Sequence, residues 1–295
     1  MRMDKRLVLP VMLAASVMGW AQIAGIDPVK VFHAAGPMPS YEVATIKKSD
    51  GKDHGPRNEL TIRRYVQNAY GISGSSEMRV VGGPAWIASD VYAIQGQVPD
   101  ALRDAMQKMT PEDRQNQNRM LQQSLLADRF KLKVHFETRE MPVYEMTVAK
   151  GGLKIKEVPP PPPAGQGAFT PPQLPRNGAP LTPEMLSPGM LLFMNQSNGL
   201  AQMATRANTL RSICNALMNE SEIGGRPIVD KTGLTGTYDM AMQWGPERLV
   251  SARAADSDAP SLFTAVQEQL GLKLTAAKGQ VEVVVIDSIE RPSEN

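Results

Sequence analysis

The chain has 295 residues, of which 42% are hydrophobic, and its 32 lysine and arginine residues nearly balance its 30 aspartate and glutamate residues. This length is enough to bury the core of one or two domains. The net charge of +2 does not provide the basic surface that nucleic-acid binding requires, so we expect no nucleic-acid partner. The single cysteine, Cys214, excludes a disulfide within the chain and any metal site built from several cysteines.

The N-terminus has the pattern of an export signal. Basic residues precede an uncharged, mostly apolar stretch from residue 7 to residue 20, which as a helix would span roughly 21 Å and would be too short for a hydrocarbon core of ~30 Å. We therefore predict a signal peptide at residues 1–21 and a flexible segment at residues 22–39, in a periplasmic or secreted protein. The alternative is an uncleaved N-terminal segment that anchors the protein, which is the one membrane contact we expect.

A proline-rich stretch divides the rest of the chain. Eleven of the 24 prolines fall between Pro159 and Pro188, and proline fixes φ and donates no backbone hydrogen bond. We therefore expect residues 158–189 to be an extended, poorly packed linker or insertion; the alternative is a segment that binds a groove specific for proline-rich chains. The stretch separates a first unit, residues 40–157, from a second unit, residues 190–295.

The two units resemble each other in sequence. The segments LTIRRYVQNAYG (60–71) and NTLRSICNALMN (208–219) both place apolar residues at the i, i+3, i+4, i+7 spacing of one helix face. The segments VVGGPAWIASDVYAIQGQV (80–98) and EIGGRPIVDKTGLTGTYDMAMQW (222–244) both contain Gly-Gly, an apolar stretch, a polar turn and a strand with a tyrosine. Matches in the same order indicate a duplicated unit.

A third pair of segments completes the unit. Residues 125–148 and 265–289 both suggest a helix end followed by a strand, a turn and a second strand, which predicts a two-strand hairpin in each unit. The leading strands are expected at residues 41–47 and 191–196. The predicted fold class is α+β, with two related units of helices packed on mostly antiparallel sheets and joined by the proline-rich linker.

The segment IVDKTGLTGTYDM (228–240) is close to the Asp-Lys-Thr-Gly-Thr loop of ion-pumping ATPases, in which the aspartate accepts a phosphoryl group. Such an aspartate requires a Mg²⁺ site and donors to the phosphoryl group, and the other motifs of those pumps are absent from this sequence. We therefore interpret Asp230 as a residue whose side chain caps a turn, with Gly233 and Gly236 able to take positive φ.

The remaining reactive side chains form no recognisable site. Cys214 aligns with Val66 on the apolar face of a helix, so we expect a buried, inert thiol. The three histidines, His33, His54 and His135, have no metal-ligand spacing, and His135 is expected on the solvated face of a strand. No segment matches a phosphate-binding loop or a nucleophilic serine elbow. We therefore assign no catalytic residue, no metal and no cofactor, and leave the binding residues unknown.

Several long segments are similar to one known family. They are YEVATIK (41–47), TIRRYVQNAYGI (61–72), VVGGPAWIASDVYAIQG (80–96), LLADRFKLKVHFETREMPVYEMTVAKGG (125–152), GRPIVDKTGLTGTYDM (225–240), PSLFTAVQEQLGLKL (260–274) and VEVVVIDSIERPSEN (281–295). In this order they resemble the soil-associated exported-protein family of soil bacteria, which is built on a domain of unknown function. The resemblance covers residues 40–295 and implies export but no assigned chemistry. In some relatives a similar domain follows an antibiotic-sensor-type membrane metallopeptidase, which implies sensing or partner binding.

Two functions follow as expectations. The first is an exported, non-catalytic binding or interaction module of the cell envelope, with an envelope protein as partner, because open sheet edges can accept a partner strand. The second is a hydrolase acting on an envelope or extracellular polymer, for which the support is a set of acids near glycines: Asp90, Asp230 and Asp239. Two carboxylates roughly 5–10 Å apart in a cleft would favour the hydrolase.

Overall fold

The computed structural model describes residues 29–49, 59–73, 77–161, 172, 175, 179–195, 200–245 and 259–292. This described part of the chain contains eleven strands and six α-helices. The predicted signal peptide, His54 and the middle of the proline-rich stretch, apart from residues 172 and 175, lie outside it.

The elements follow the chain in two series. The first series is β1 (Val43–Lys48), β2 (Glu59–Thr61), α1 (Ile62–Ala69), β3 (Val80–Gly82), α2 (Trp86–Ser89), β4 (Val91–Gln97), α3 (Asp100–Gln107), α4 (Pro111–Arg129), β5 (Lys133–Val148) and β6 (Lys156–Val158). The second series is β7 (Leu191–Asn195), β8 (Ala201–Thr209), α5 (Leu210–Leu217), β9 (Ile228–Asp230), β10 (Thr237–Trp244), α6 (Leu262–Leu270) and β11 (Leu272–Ser288). The helices predicted around residues 60–71 and 208–219 are therefore present as α1 and α5.

Helices α1 and α5 begin in the same way. The side chain of Thr61 accepts a hydrogen bond from the backbone N–H of Arg64, and the side chain of Thr209 accepts one from Ser212. Each bond satisfies one of the N–H groups that the first turn of a helix leaves unpaired. Both helices then bury the apolar face that the sequence period predicts.

The strands form three sheets. The N-terminal sheet has the order β1-β4-β2 and the C-terminal sheet the order β6-β10-β8-β7, and both are antiparallel throughout. The shared sheet has the order β3-β11-β5-β9, in which β5 and β11 are antiparallel and the short outer strands run parallel to their neighbours. The fold is therefore α+β with mostly antiparallel sheets, as the sequence predicts.

The two predicted hairpins are wrong. Strands β5 and β11 are each continuous, and they pair with each other from Leu272 opposite Val148 to Ser288 opposite Lys133. The polar residues 137–140 look like a turn in the sequence, but they form the mostly exposed middle of strand β5. The strand that β5 needs as a partner therefore comes from the other end of the chain.

The two long strands connect the two halves because each one contributes to both hydrophobic cores. The N-terminal core includes α1, α4 and, from β11, Val284 and Ile286. The C-terminal core includes α5, α6 and β10 together with Met146 from β5. All three of these strand residues are at most 6% exposed. Each half therefore completes the core of the other.

Part of the segment predicted to be flexible, residues 29–33, is held against β11. The backbone N–H of Val31 donates to Glu282 Oε2 at 2.9 Å. The buried Arg79 donates through Nη2 to the carbonyl of Lys30 at 2.8 Å and through Nε to the carbonyl of Glu282 at 3.2 Å. A buried guanidinium thus connects this segment to the shared sheet.

The end of the proline-rich stretch is packed at its leucines, so the prediction of a poorly packed segment is wrong for the part from Leu181 to Leu186. Leu181 and Leu186 are 3% and 2% exposed and pack with Ala204 of the C-terminal sheet. Gln202 Oε1 accepts the backbone N–H of Leu181 at 2.7 Å. The proline count did not reveal this packing because the leucines between the prolines provide the buried surface.

Candidate functional site

Asp230 ends β9 and caps the turn that follows. Its Oδ1 accepts hydrogen bonds from the backbone N–H of Thr232 at 2.9 Å and from the Thr232 hydroxyl at 2.7 Å. Gly233 takes a φ of 72°, as the turn interpretation requires. Gly236 does not take the positive φ that the prediction allows, and an added Cβ would lie 2.5 Å from Glu157 Oε1, the end of a flexible side chain.

The other two acids of the hydrolase hypothesis also have structural contacts. Asp90 Oδ2 accepts from Lys48 Nζ at 2.8 Å and from Arg291 Nη2 at 3.2 Å, and the hydrogen bond from Lys48 is the main reason that the pKa of Asp90 is lowered. Asp239 Oδ1 accepts the backbone N–H of Ala207 at 2.8 Å. The three aspartates lie beside three different sheets, and each one stabilises the backbone or a cation next to it.

Cys214 is buried in the C-terminal core, as predicted. The residue is 0% exposed, and its Sγ lies 3.8 Å from the Sδ atom of Met146 on β5. Its sequence counterpart Val66 is 0% exposed in the N-terminal core. The thiol occupies the position of a small apolar side chain.

His135 lies on the exposed side of β5 between two carboxylates. Its Nδ1 is 2.7 Å from Asp287 Oδ1 and its Nε2 is 3.1 Å from Glu137 Oε1. The hydrogen bond to Glu137, followed by the one to Asp287, raises the pKa of His135. Within the described residues, no group of three or more His, Cys, Asp or Glu side chains has an arrangement that could hold a metal ion.

We expect the His135 ring to titrate above its ordinary pKa of 6.5, because two carboxylates stabilise the charged imidazole. The Asp287→Asn variant should lower this pKa, while Asp100→Asn should not change it. Because the folded-state pKa is raised, the interaction contributes fully to stability below pH 6.5 and is lost as the pH rises through the folded-state pKa. An NMR titration of the ring protons measures the pKa of His135. Identical titration curves for wild type and Asp287→Asn would contradict the hydrogen bond between His135 and Asp287.

The C-terminal sheet ends at strand β7, which has no strand partner on its outer side among the described residues. Strand β7 pairs with β8 from Leu191 opposite Thr205 to Asn195 opposite Ala201. Alternate residues of an antiparallel strand direct their backbone groups to opposite sides. About half of the N–H and C=O groups of β7 therefore face away from the sheet, where an added strand could pair with them.

Strand β7 is apolar on both faces. Leu191 and Phe193 pack against the C-terminal core. Leu192 and Met194 lie on the opposite face of the sheet, where they pack with the cluster of Leu181, Leu186 and Ala204. All four side chains are only partly buried, and the segment LLFMN contains no charge. Charged side chains are the usual protection of an edge strand against pairing, and β7 has none.

Strand β1, the longer of the two edge strands of the N-terminal sheet, differs in this respect. Its Val43 is 56% exposed, but the strand ends in Lys47 and Lys48, and Lys48 forms an ion pair with Asp90 at 2.8 Å. Lysines on an edge strand oppose non-specific strand addition. Of the two longer edge strands in the described part of the chain, β7 is therefore the better candidate for docking a partner.

A protein-family comparison matches residues 63–289 to the family described as "Protein of unknown function (DUF3738)". The chain belongs to this family. The match extends from α1 to the residue after β11 and confirms that the chain contains a domain of unknown function, as the sequence resemblance implies. No curated protein and no solved structure matches the chain. None of the helices described for this DUF3738 member is long and apolar enough to cross a bilayer.

Sequence reasoning identified the strand at residues 191–196 but not its importance as an edge. The signal was the run LLFMN, in which apolar residues occupy consecutive rather than alternate positions. Such a run indicates a strand covered on both faces. It does not indicate which side of the strand lacks a neighbour.

Proposed function

We propose that this protein is an exported, non-catalytic interaction module of the cell envelope, and that it binds a protein partner by adding one of the partner's strands to β7. The observation that carries the proposal is that β7 is apolar on both faces, uncharged and unpaired on its outer side within the described residues. In strand addition, main-chain hydrogen bonds provide affinity and alternate side chains provide specificity.

The sequence supports a location in the envelope. Residues 1–21 have the pattern of a signal peptide, and an uncleaved segment would instead anchor the protein to the membrane. The similarity to soil-associated exported proteins supports the same location. In some of those relatives a similar domain accompanies a membrane sensor metallopeptidase, which supports partner recognition as the role.

The repeated order of elements supports a scaffold produced by duplication. In both halves a strand is followed by a helix, a three-residue strand, a longer strand, at least one further helix and a strand of 16 or 17 residues; the first half has the short helix α2 as an addition between its three-residue strand and its longer strand. The C-terminal sheet has four strands and the N-terminal sheet three, so the two copies present different edges. This difference supports binding at β7 in one copy only.

The expected partner segment is extended and apolar on both sides. Its side chains would lie beside Leu191 and Phe193 on one face and beside Leu192 and Met194 on the other. Methionine side chains are flexible and polarizable and adapt to different partners. The cluster around Met194 also includes Met185, which increases the adaptable surface.

The Met194→Lys variant should reduce partner binding at least about tenfold, or by ~1.4 kcal/mol or more, because it places a charge where the added strand must pack. The fold should survive, since Met194 is partly exposed and a lysine stem can extend its charge into water. Met38→Lys is the control, since Met38 is 45% exposed and precedes β1.

The assay is photo-crosslinking in cells that produce the protein with a tag after residue 295. A photoreactive amino acid at position 192 should capture one reproducible envelope protein, whereas the same amino acid at the exposed position 267 of α6 should not. Mass spectrometry identifies the captured protein. Equal capture from both positions, or capture that is unchanged by Met194→Lys, would rule out docking at β7.

The hydrolase alternative gains no specific support. Asp90, Asp230 and Asp239 have the local contacts described above, and no observation on the described residues favours a catalytic role for any pair of them.

A further inference from the structure

A groove of about 590 Å³ lies in the N-terminal half, where the end of β4 meets α3 and α4. The polar and apolar side chains that matter for its chemistry are Gln97, Arg103, Met106, Gln107, Arg114 and Asn118. A volume of this size is typical of sites for small molecules. None of the residues that line the groove lies on β7. A ligand in the groove would therefore bind independently of a protein partner at β7.

The lining of the groove is cationic. It includes two arginines and no aspartate or glutamate. Arg103 forms an ion pair with Asp100 at 2.8 Å, but the Asp100 side chain is 83% exposed and does not line the groove. Among the described residues Arg114 forms no ion pair with a carboxylate, and it donates hydrogen bonds to the backbone carbonyls of Met106 and Met109.

Both guanidinium groups are held in place by the backbone. Arg103 Nη2 donates to the carbonyl of Val98 at 3.1 Å, and Arg114 Nε donates to the carbonyl of Met106 at 3.1 Å. A guanidinium has five N–H donors, so these bonds leave several donors on each arginine for a ligand. Because each guanidinium already has a hydrogen-bond partner on the backbone, binding would lose less side-chain entropy than for an unbonded arginine.

We propose that this groove binds a small anionic sugar, a uronate or a sugar phosphate. Arginine recognises carboxylate and phosphate groups with two parallel hydrogen bonds. The amide side chains of Gln97, Gln107 and Asn118 both donate and accept hydrogen bonds, which suits the hydroxyl groups of a sugar. Met106, which is 7% exposed, provides an apolar contact at the base of the groove.

Isothermal titration calorimetry with four probes tests the proposal: digalacturonate, glucose 6-phosphate, maltose and inorganic phosphate. We expect saturable binding of one or both anionic sugars and no binding of maltose. Binding of digalacturonate or of glucose 6-phosphate alone identifies the anionic group as carboxylate or phosphate. Binding of inorganic phosphate as tightly as glucose 6-phosphate would overturn the assignment of a sugar ligand, and no binding of any probe would overturn the site.

The Asn118→Asp variant localises the binding. It adds a negative charge to the lining at an exposed position of α4, so the fold should be preserved, and we expect the Kd of the anionic sugar to rise about tenfold through like-charge repulsion. Gln267→Glu introduces the same charge on α6 and should leave the Kd unchanged. Equal affinities for Asn118→Asp and Gln267→Glu would show that the sugar binds elsewhere and would overturn the assignment to this groove.

Discussion

The Gly271→Ala variant should be destabilised by about 2–5 kcal/mol, the combined effect of a left-handed backbone and a steric overlap. Gly271 ends α6 and begins the turn into β11, with φ of 70°. A Cβ at this position would overlap the carbonyl oxygen of Gly152 and would lie 2.7 Å from the backbone nitrogen of Lys154. Because these neighbours are backbone atoms, no side-chain rotation can relieve the overlap.

A matched variant separates the cost of the left-handed backbone from the cost of the steric overlap. Gly224 also has a left-handed conformation, with φ of 61°, but an added Cβ would meet no heavy atom within 4 Å. Gly224→Ala should therefore destabilise the protein by only about 1–2 kcal/mol. Urea unfolding of both variants, followed by circular dichroism, measures the difference. Equal losses of stability would contradict the close approach of Gly152 to Gly271.

Neither half of the chain should fold when it is produced alone. A fragment of residues 29–161 lacks Val284 and Ile286 of β11, which its core buries, and a fragment of residues 179–295 lacks Met146 of β5. Each of these side chains contributes about 1.5–3 kcal/mol on burial, and the long β5–β11 pairing is lost as well. A domain is stable by only about 5–15 kcal/mol in total, so the losses should abolish cooperative folding.

The fragments should fold when they are mixed, because together they restore the shared sheet. NMR spectra of each fragment and of the mixture test this, with the dispersion of amide signals as the readout. The control is the intact chain with a protease site inserted between residues 162 and 171, which should stay associated and folded after cleavage. A well-dispersed spectrum of either fragment alone would contradict the reciprocal completion of the cores.

The elements predicted best from the sequence are those that depend on local physics. Thr61 and Thr209 cap α1 and α5 through neighbouring residues, and the apolar period of each helix lies within its own segment. The turn at Asp230 follows from Thr232 and Gly233 a few positions further on. In each case the residues that cause the structure stand next to each other in the chain.

The features that the sequence did not predict depend on distant contacts. Alternation of side chains indicates a strand but does not identify its partner, so the sequence predicts separate hairpins where β5 and β11 in fact pair with each other. The open edge of β7 was not predicted either, because a sequence pattern does not show which side of a strand lacks a neighbour. The groove was missed because Arg103 lies on α3, whose position beside Arg114 of α4 is set by packing between the helices.

The pairing of β5 with β11 also determines when the chain can fold. Strand β11 follows β5 only after all the other elements of the C-terminal half, and contacts so distant in sequence form slowly. A growing chain that already contains β5 must leave the apolar residues of both cores incompletely covered until β11 has been synthesised. Completion of the native state is thereby delayed until β11 has been synthesised, which would suit the export that we propose for this protein.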